Sequence, residues 1–182
     1  MAGKSETAVF GGGCFWCVEA IFSRLRGVVA TEVGFAGGGK ERPTYEEVHV
    51  GATGHAEAVK VEYDPSTISY RDLLTVFFGT HDPTTLNRQE NDVGQEYRSV
   101  IFFTTEAQRR EAEKFIAGLE REGAYDQPIV TQVRPLTVFF RAEEGHQSYF
   151  EKNPERAYCQ IVIAPKIDRL RQRFGELLAS AE

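Results

Sequence analysis

The sequence lacks a surplus of basic residues: 21 Lys and Arg stand against 27 Asp and Glu, a formal net charge of −6. Nucleic acids and anionic membrane surfaces both recruit positive charge, so neither is an expected partner. No apolar run approaches the about 18 residues of a membrane span. The N-terminus has no basic segment leading into an apolar one, so no secretory signal is expected. Cysteine is scarce. Three cysteines, an odd number with two of them three positions apart, do not make a disulfide-stapled secreted framework, and a reducing cytoplasm is the expected compartment. Gly37-Gly38-Gly39-Lys40 is a glycine loop without the spacing of a phosphate-binding loop. A structural zinc site needs two close ligand pairs, and the sequence has only Cys14 and Cys17 plus four scattered histidines. No repeat or linker divides the chain, so a single domain over residues 1–182 is expected. No feature suggests an obligate interface, and a monomer is expected.

Against these absences one stretch stands out, Phe10-Gly11-Gly12-Gly13-Cys14-Phe15-Trp16-Cys17-Val18-Glu19. Apolar residues 8–10 read as the end of a buried strand. Val18, Ile21, Phe22 and Leu25 then recur at helical spacing, and Gly27 follows as a helix stop. The pattern is strand, glycine turn, helix, with Cys14 at the helix start and Cys17 one turn on. The free N–H groups and the dipole of a helix N-terminus favour a thiolate, the reactive form of cysteine. Phe15 and Trp16, expected to be exposed, would form an apolar wall beside that sulfur.

Along the rest of the chain, residues 1–5 read as a loose start, 7–10 and 28–35 as strands, and Thr44 with Glu47 as a capping box. Residues 56–63 read as a strand with Glu57, Val59, Val61 and Tyr63 on one face. A carboxyl on that apolar face is either paired with Lys60 or an arginine, or kept protonated as a proton donor. Ser69 caps a helix to residue 78, stopped by Gly79. Residues 80–98 form a long polar loop of the kind that carries function. A strand at 99–103 and a surface helix at 105–122 follow. Residues 129–133 and 136–141 read as strands, 142–152 as a helix, 158–163 as a last strand, and 165–178 as a terminal helix. Helices and strands mix without βαβ alternation, so the class is α+β, a two-layer sandwich.

Gly13-Cys14-Phe15-Trp16, Pro43-Thr44-Tyr45, Thr53-Gly54-His55-Ala56-Glu57-Ala58-Val59, His81-Asp82-Pro83, Asn91-Asp92, Tyr97-Arg98-Ser99, His146-Gln147 and Lys152-Asn153-Pro154 occur in that order. Together they resemble the peptide methionine-S-sulfoxide reductase A family over residues 7–166. The resemblance implies a ferredoxin-like core with extra loops and a terminal helix, and a thiol mechanism without metal or cofactor. It implies Cys14 as nucleophile, Glu57 as the acid for the sulfoxide oxygen, and Tyr45 and Tyr97 as hydrogen-bond donors to that oxygen. It also implies Asp92 as organiser of the pocket, and Phe15 and Trp16 as the slot for the S-methyl group. The implied activity is reduction of methionine S-sulfoxide, free or in proteins, as repair after oxidative damage. Cys14 would become a sulfenic acid, then part of a disulfide, and thioredoxin would restore it.

The sequence departs from the family pattern at four positions. Cys17 stands where many relatives have Gly, and Glu90 and Phe35 replace Gly and Tyr with little consequence expected. Cys159 stands at a recycling position of some relatives but lacks their Gly-rich tail. Both Cys17 and Cys159 are therefore candidates for the resolving thiol, with family position favouring Cys159. A general thiol–disulfide oxidoreductase shares the Cys-x-x-Cys at a helix start. That class gives Glu57 and the 80–98 loop no role, and no proline lies between these cysteines.

Overall fold

The computed structural model describes residues 3–180. Of the loose start, residues 1 and 2 lie outside the described residues, and residues 3–5 carry no regular structure. A six-stranded sheet has the order β7-β6-β1-β3-β2-β8, with β1 Glu6–Gly11, β2 Val28–Ala36, β3 Ala56–Tyr63, β6 Val100–Phe103, β7 Gln132–Pro135 and β8 Phe139–Arg141. Its pairs are antiparallel except β6 with β7. That parallel pair is joined through helix α4, Glu106–Arg121, as a parallel connection requires a crossover.

Helices α1, Phe15–Phe22, and α3, Tyr70–Thr80, cover one face of the sheet. Phe10 of β1 stacks on Phe22 at 5.0 Å and on Phe77 at 4.9 Å, the centre of a cluster that also takes in Val59, Val61 and Tyr63 of β3. The alternation of β3 is therefore as expected, but its other face is not open. Ala56 and Ala58 are fully buried beneath Phe102, Leu136 and Phe139. Thr44 and Glu47 form the expected reciprocal cap of α2, Tyr45–His49, and Ser69 caps α3 with Asp72. Helix α4 buries only a thin stripe around Ala112, as a surface helix should.

Four expectations are corrected. The last strand at residues 158–163 is helical: a π-turn, Cys159–Ile163, runs into α6, Ala164–Phe174. Cys159, Ile163, Ile167 and Leu170 are buried at roughly helical spacing while Ile161 is 74% exposed. Tertiary burial overrides the β-branched composition, since β7 and β8 already close the sheet edges. The helix at 142–152 is broken into a 3₁₀ turn, Glu144–His146, and a short α5, Tyr149–Lys152, by Ser148 at φ 51°. α3 runs through Gly79, whose missing side chain makes room for the Phe174 ring. The 129–141 region yields only the short β7 and β8, with Pro135 ending β7 at the sheet edge, where its missing N–H is tolerated.

Candidate active site

Cys14 is the N-cap of α1, half-buried, at the mouth of the glycine turn. Gly13 has φ +101°, a region that disfavours side chains, and a Cβ there would meet Gln89 at 2.7 Å. Gln89 in turn exchanges two 2.9 Å hydrogen bonds with the Asp82 backbone. The expected polar loop is thus ordered, built around a hairpin of β4, Arg88–Gln89, and β5, Asp92–Val93, and it packs directly on the cysteine turn.

Glu57 enters from β3, 2% exposed, and accepts a 3.1 Å hydrogen bond from the Phe15 N–H, a free donor of the first turn of α1. Burial first, and then the charges of Glu96 and Asp92, push its carboxyl up to about 8 against the lowering effect of Phe15. At neutral pH it holds its proton. Lys60, the alternative partner, pairs with Glu32 at 3.2 Å instead.

The two aromatics are not equivalent. Phe15 is fully buried, contrary to the expected exposure, and packs on Phe35 at 5.6 Å as a floor. Its helical position after the N-cap turns it inward between β3 and β2. Trp16 alone is half-exposed. It stacks on Tyr149 at 3.8 Å, and His146 stacks on Tyr45 at 4.5 Å, so the wall is completed from residues far apart in the chain. Gln147 clamps this segment to both backbone groups of Val33 at 2.9 Å. Glu19 accepts from the Ser148 N–H at 2.7 Å, tying it to α1. Tyr97 is buried with its hydroxyl 3.5 Å from His49. Burial first, then the nearby Glu57, drives the Tyr97 and Tyr45 hydroxyls upward, keeping both protonated. Asp92 accepts a 3.1 Å hydrogen bond from Tyr158.

Cys14 and Cys17 are neighbours: the Cys17 N–H donates to the Cys14 carbonyl at 3.0 Å, and Cys14 packs on the cluster that holds Cys17. Burial and then Cys17 push Cys14 up, whereas the hydrogen bond from Cys14, followed by the Lys166 charge, pulls Cys17 down to about 7. Such a pair titrates as a unit and loses its first proton near neutrality. The site residues expected from the sequence converge here, with Cys159 fully buried beside Cys17, Ala20, Ile163 and Ile167 in the cluster on which Cys14 and Trp16 pack. Sequence reasoning missed Tyr149, Tyr158 and Lys166. Tyr158 adjoins Cys159, but no spacing marks Lys166. A cleft of about 670 Å³ between α3, α6 and the 80–90 loop ends at His81 and Lys166 and does not include Cys14 or Trp16 among its walls.

A nucleophilic sulfur working beside a protonated carboxyl is the equipment of a cysteine-dependent oxidoreductase. The family described as peptide methionine sulfoxide reductase matches residues 6–178. The chain is 53% identical to the peptide methionine sulfoxide reductase MsrA of Natronomonas pharaonis, over 97% of this chain and 99% of that one. It is also similar to the crystal structure of reduced Mxr1 from Saccharomyces cerevisiae, with a TM-score of 0.78 and 34% identity over 86% of this chain and 90% of that one. Mxr1 in complex with Trx2 matches with a TM-score of 0.55 and 26% identity, over 80% and 85% of the two chains. The chain belongs to the peptide methionine sulfoxide reductase family, and within it to the MsrA branch that its curated relatives represent.

Proposed function

We propose that this enzyme reduces the S epimer of methionine sulfoxide, free or in proteins, and so repairs oxidised methionine. The observation that carries the reading is Glu57: a buried carboxyl that keeps its proton, docked on the first N–H of the helix that Cys14 caps. A sulfoxide needs a nucleophile for sulfur, an acid for oxygen and an apolar slot for methyl. The thiolate of Cys14, at the start of α1, attacks the sulfoxide sulfur. Glu57 gives its proton to the oxygen, helped by the hydroxyls of Tyr45 and Tyr97. The oxygen passes to Cys14 as a sulfenic acid and methionine departs, so the substrate sulfur gains the two electrons that Cys14 loses. The methyl group rests against Trp16 above the Phe15 floor, and Asp92 orders the rim. Fixed methyl and oxygen positions admit one epimer.

A thiol of this chain then closes a disulfide with Cys14, and a thioredoxin-type dithiol reopens it. The solved complex of the related Mxr1 with Trx2 supports that partner. Apart from the inserted α2 and the β4–β5 hairpin, the order β1-α1-β2-β3-α3-β6, with sheet order β6-β1-β3-β2, supports the ferredoxin-like reading of the core. The test is single-turnover reduction of separated S and R epimers of a peptide methionine sulfoxide, without external reductant. One equivalent of methionine from the S epimer alone is expected. None from either epimer overturns the reading.

A further inference from the structure

We propose that Cys17 is the thiol that resolves oxidised Cys14, and that Lys166 is the positioning residue that readies it. The inference rests on the function proposed above, because it needs Cys14 to become a sulfenic acid.

Position comes first. Cys17 lies one helical turn beyond Cys14, and a turn of about 5.4 Å falls within the about 4.4–6.8 Å between Cα atoms that a disulfide spans. Cys14 has ψ 124°, outside the helix, so its side chain is free of helical constraint. The Cys17 N–H already donates to the Cys14 carbonyl at 3.0 Å, and Cys14 packs on the cluster that holds Cys17, so closing the bond costs little ordering. Cys159 belongs to a different segment, without the backbone link that joins Cys17 to Cys14. It is fully buried in the π-turn, packed on Ile163 and Ile167. The preceding Tyr158 holds its hydroxyl 3.5 Å from the Cys17 sulfur and donates to Asp92.

Charge comes second. Lys166 is only 8% exposed, yet its one carboxylate partner among the described residues is Glu90, at 3.7 Å and half-exposed. Glu90 stands at φ 53°, in the region that favours glycine, where its side chain turns toward Lys166. Lys166 and Cys17 line the same narrow gap with Gly12, Thr80 and His81. Around Cys17 stand Cys14 on its own helix, Glu57 from β3, Asp92 from β5, His81 at the end of α3, and Tyr158, Cys159 and Lys166 from the C-terminal helical segment. Burial keeps His81 neutral. Lys166 is therefore the cation of the group, opposed by Asp92, and it favours the thiolate that attacks.

The step balances. The Cys17 sulfur bonds to the Cys14 sulfur, the Cys14 S–O bond breaks, and the oxygen leaves as water with its own proton and the one from Cys17. Cys17 is oxidised and the Cys14 sulfenic sulfur is reduced, with no other reactant.

The experiment is single turnover on a peptide methionine S-sulfoxide, with dimedone trapping and mass mapping of the cysteine peptides. The wild type and Cys159→Ser are expected to give a Cys14–Cys17 disulfide at similar rates. Cys17→Ser is expected to release its equivalent of methionine, to leave Cys14 as the dimedone adduct, and to slow disulfide formation by about 100-fold or more. Lys166→Met should move the pH midpoint of disulfide formation up by about one unit, with Lys166→Arg restoring it. A Cys14–Cys159 disulfide in the wild type, or wild-type disulfide rates in Cys17→Ser, overturns the assignment of Cys17. An unmoved midpoint in Lys166→Met overturns that of Lys166. Failure of the wild type to release methionine sinks the proposed function instead, and the methionine assay separates the two failures.

Discussion

On one side of α1, Trp16 faces Tyr149, His146 and Tyr45; on the other, Cys17 faces Asp92, Lys166 and Tyr158, whose ring also meets Trp16 edge-on at 5.9 Å. The first side is apolar and half-open, suited to receive a methyl group. The second is buried, polar and carries a cation. Cys14, at the N-cap, stands between them, and Glu57 reaches the same helix start from β3. In the proposed scheme, the difference shows how one short helix can divide a two-stage redox reaction. Substrate chemistry needs apolar walls and a proton donor; disulfide chemistry needs a second thiolate kept away from substrate.

Variants on the two sides should separate the two stages. Cys14→Ser, which removes the sulfur common to both, is expected to abolish methionine release, by about 10⁴-fold or more; appreciable turnover in a stopped assay would break the scheme at its centre. Glu57→Gln keeps the shape and the Phe15 contact but not the proton. It should slow methionine release by about 10²–10⁴-fold while leaving a preformed sulfenic acid free to close its disulfide. Because Glu57 titrates at about 8, wild-type release should fall as pH rises through that value, and the variant should lose this limb; an unchanged pH–rate profile would count against a donor role.

The same group sets a stability test. Unfolded Glu57 loses its proton near pH 4.5 while the folded one keeps it to about 8, so the folded state binds more protons across that window and stability falls as pH rises through it. Glu57→Gln should remove a decline on the order of 3–5 kcal/mol between pH 4.5 and 8, read from urea unfolding at the two ends. Trp16→Ala, on the open side, should lower kcat/KM for release by about 10–100-fold and leave the disulfide step alone. An equal slowing of both steps would erase the division between the two sides. Gly13→Ala should cost about 1–3 kcal/mol of stability, since it forces a side chain to φ +101° against Gln89. Gln89→Ala in the same background should relieve the contact but not the backbone strain; full recovery would show that the turn itself is unstrained.

Much of the open side was legible. The glycine run, the helix start and the cysteine spacing located Cys14, and the β3 alternation exposed Glu57 as a carboxyl on an apolar face. The capping box at Thr44 and the cap at Ser69 were readable because their partners lie three residues away. The opposite side was not legible. Residues 158–163 carry apolar and β-branched side chains that read as a strand, and that reading hides both the π-turn and the position of Lys166. Phe15 and Trp16 are adjacent and chemically alike, so only packing distinguishes the buried floor from the half-open wall. Glu57 could be identified as anomalous, but whether Lys60 would neutralise it depended on Glu32, which lies on a neighbouring strand.

The sequence alone determined the family and most of the local elements, and it singled out Cys14 as the proposed nucleophile and Glu57 as the proton-donor candidate, because each rests on adjacent residues or on a period of two or 3.6. The tertiary structure decided how far Glu57 is removed from water, which aromatics meet Trp16, and which groups surround Cys17. Burial and charge act through space, and no spacing along the chain encodes the distance from α6 to α1.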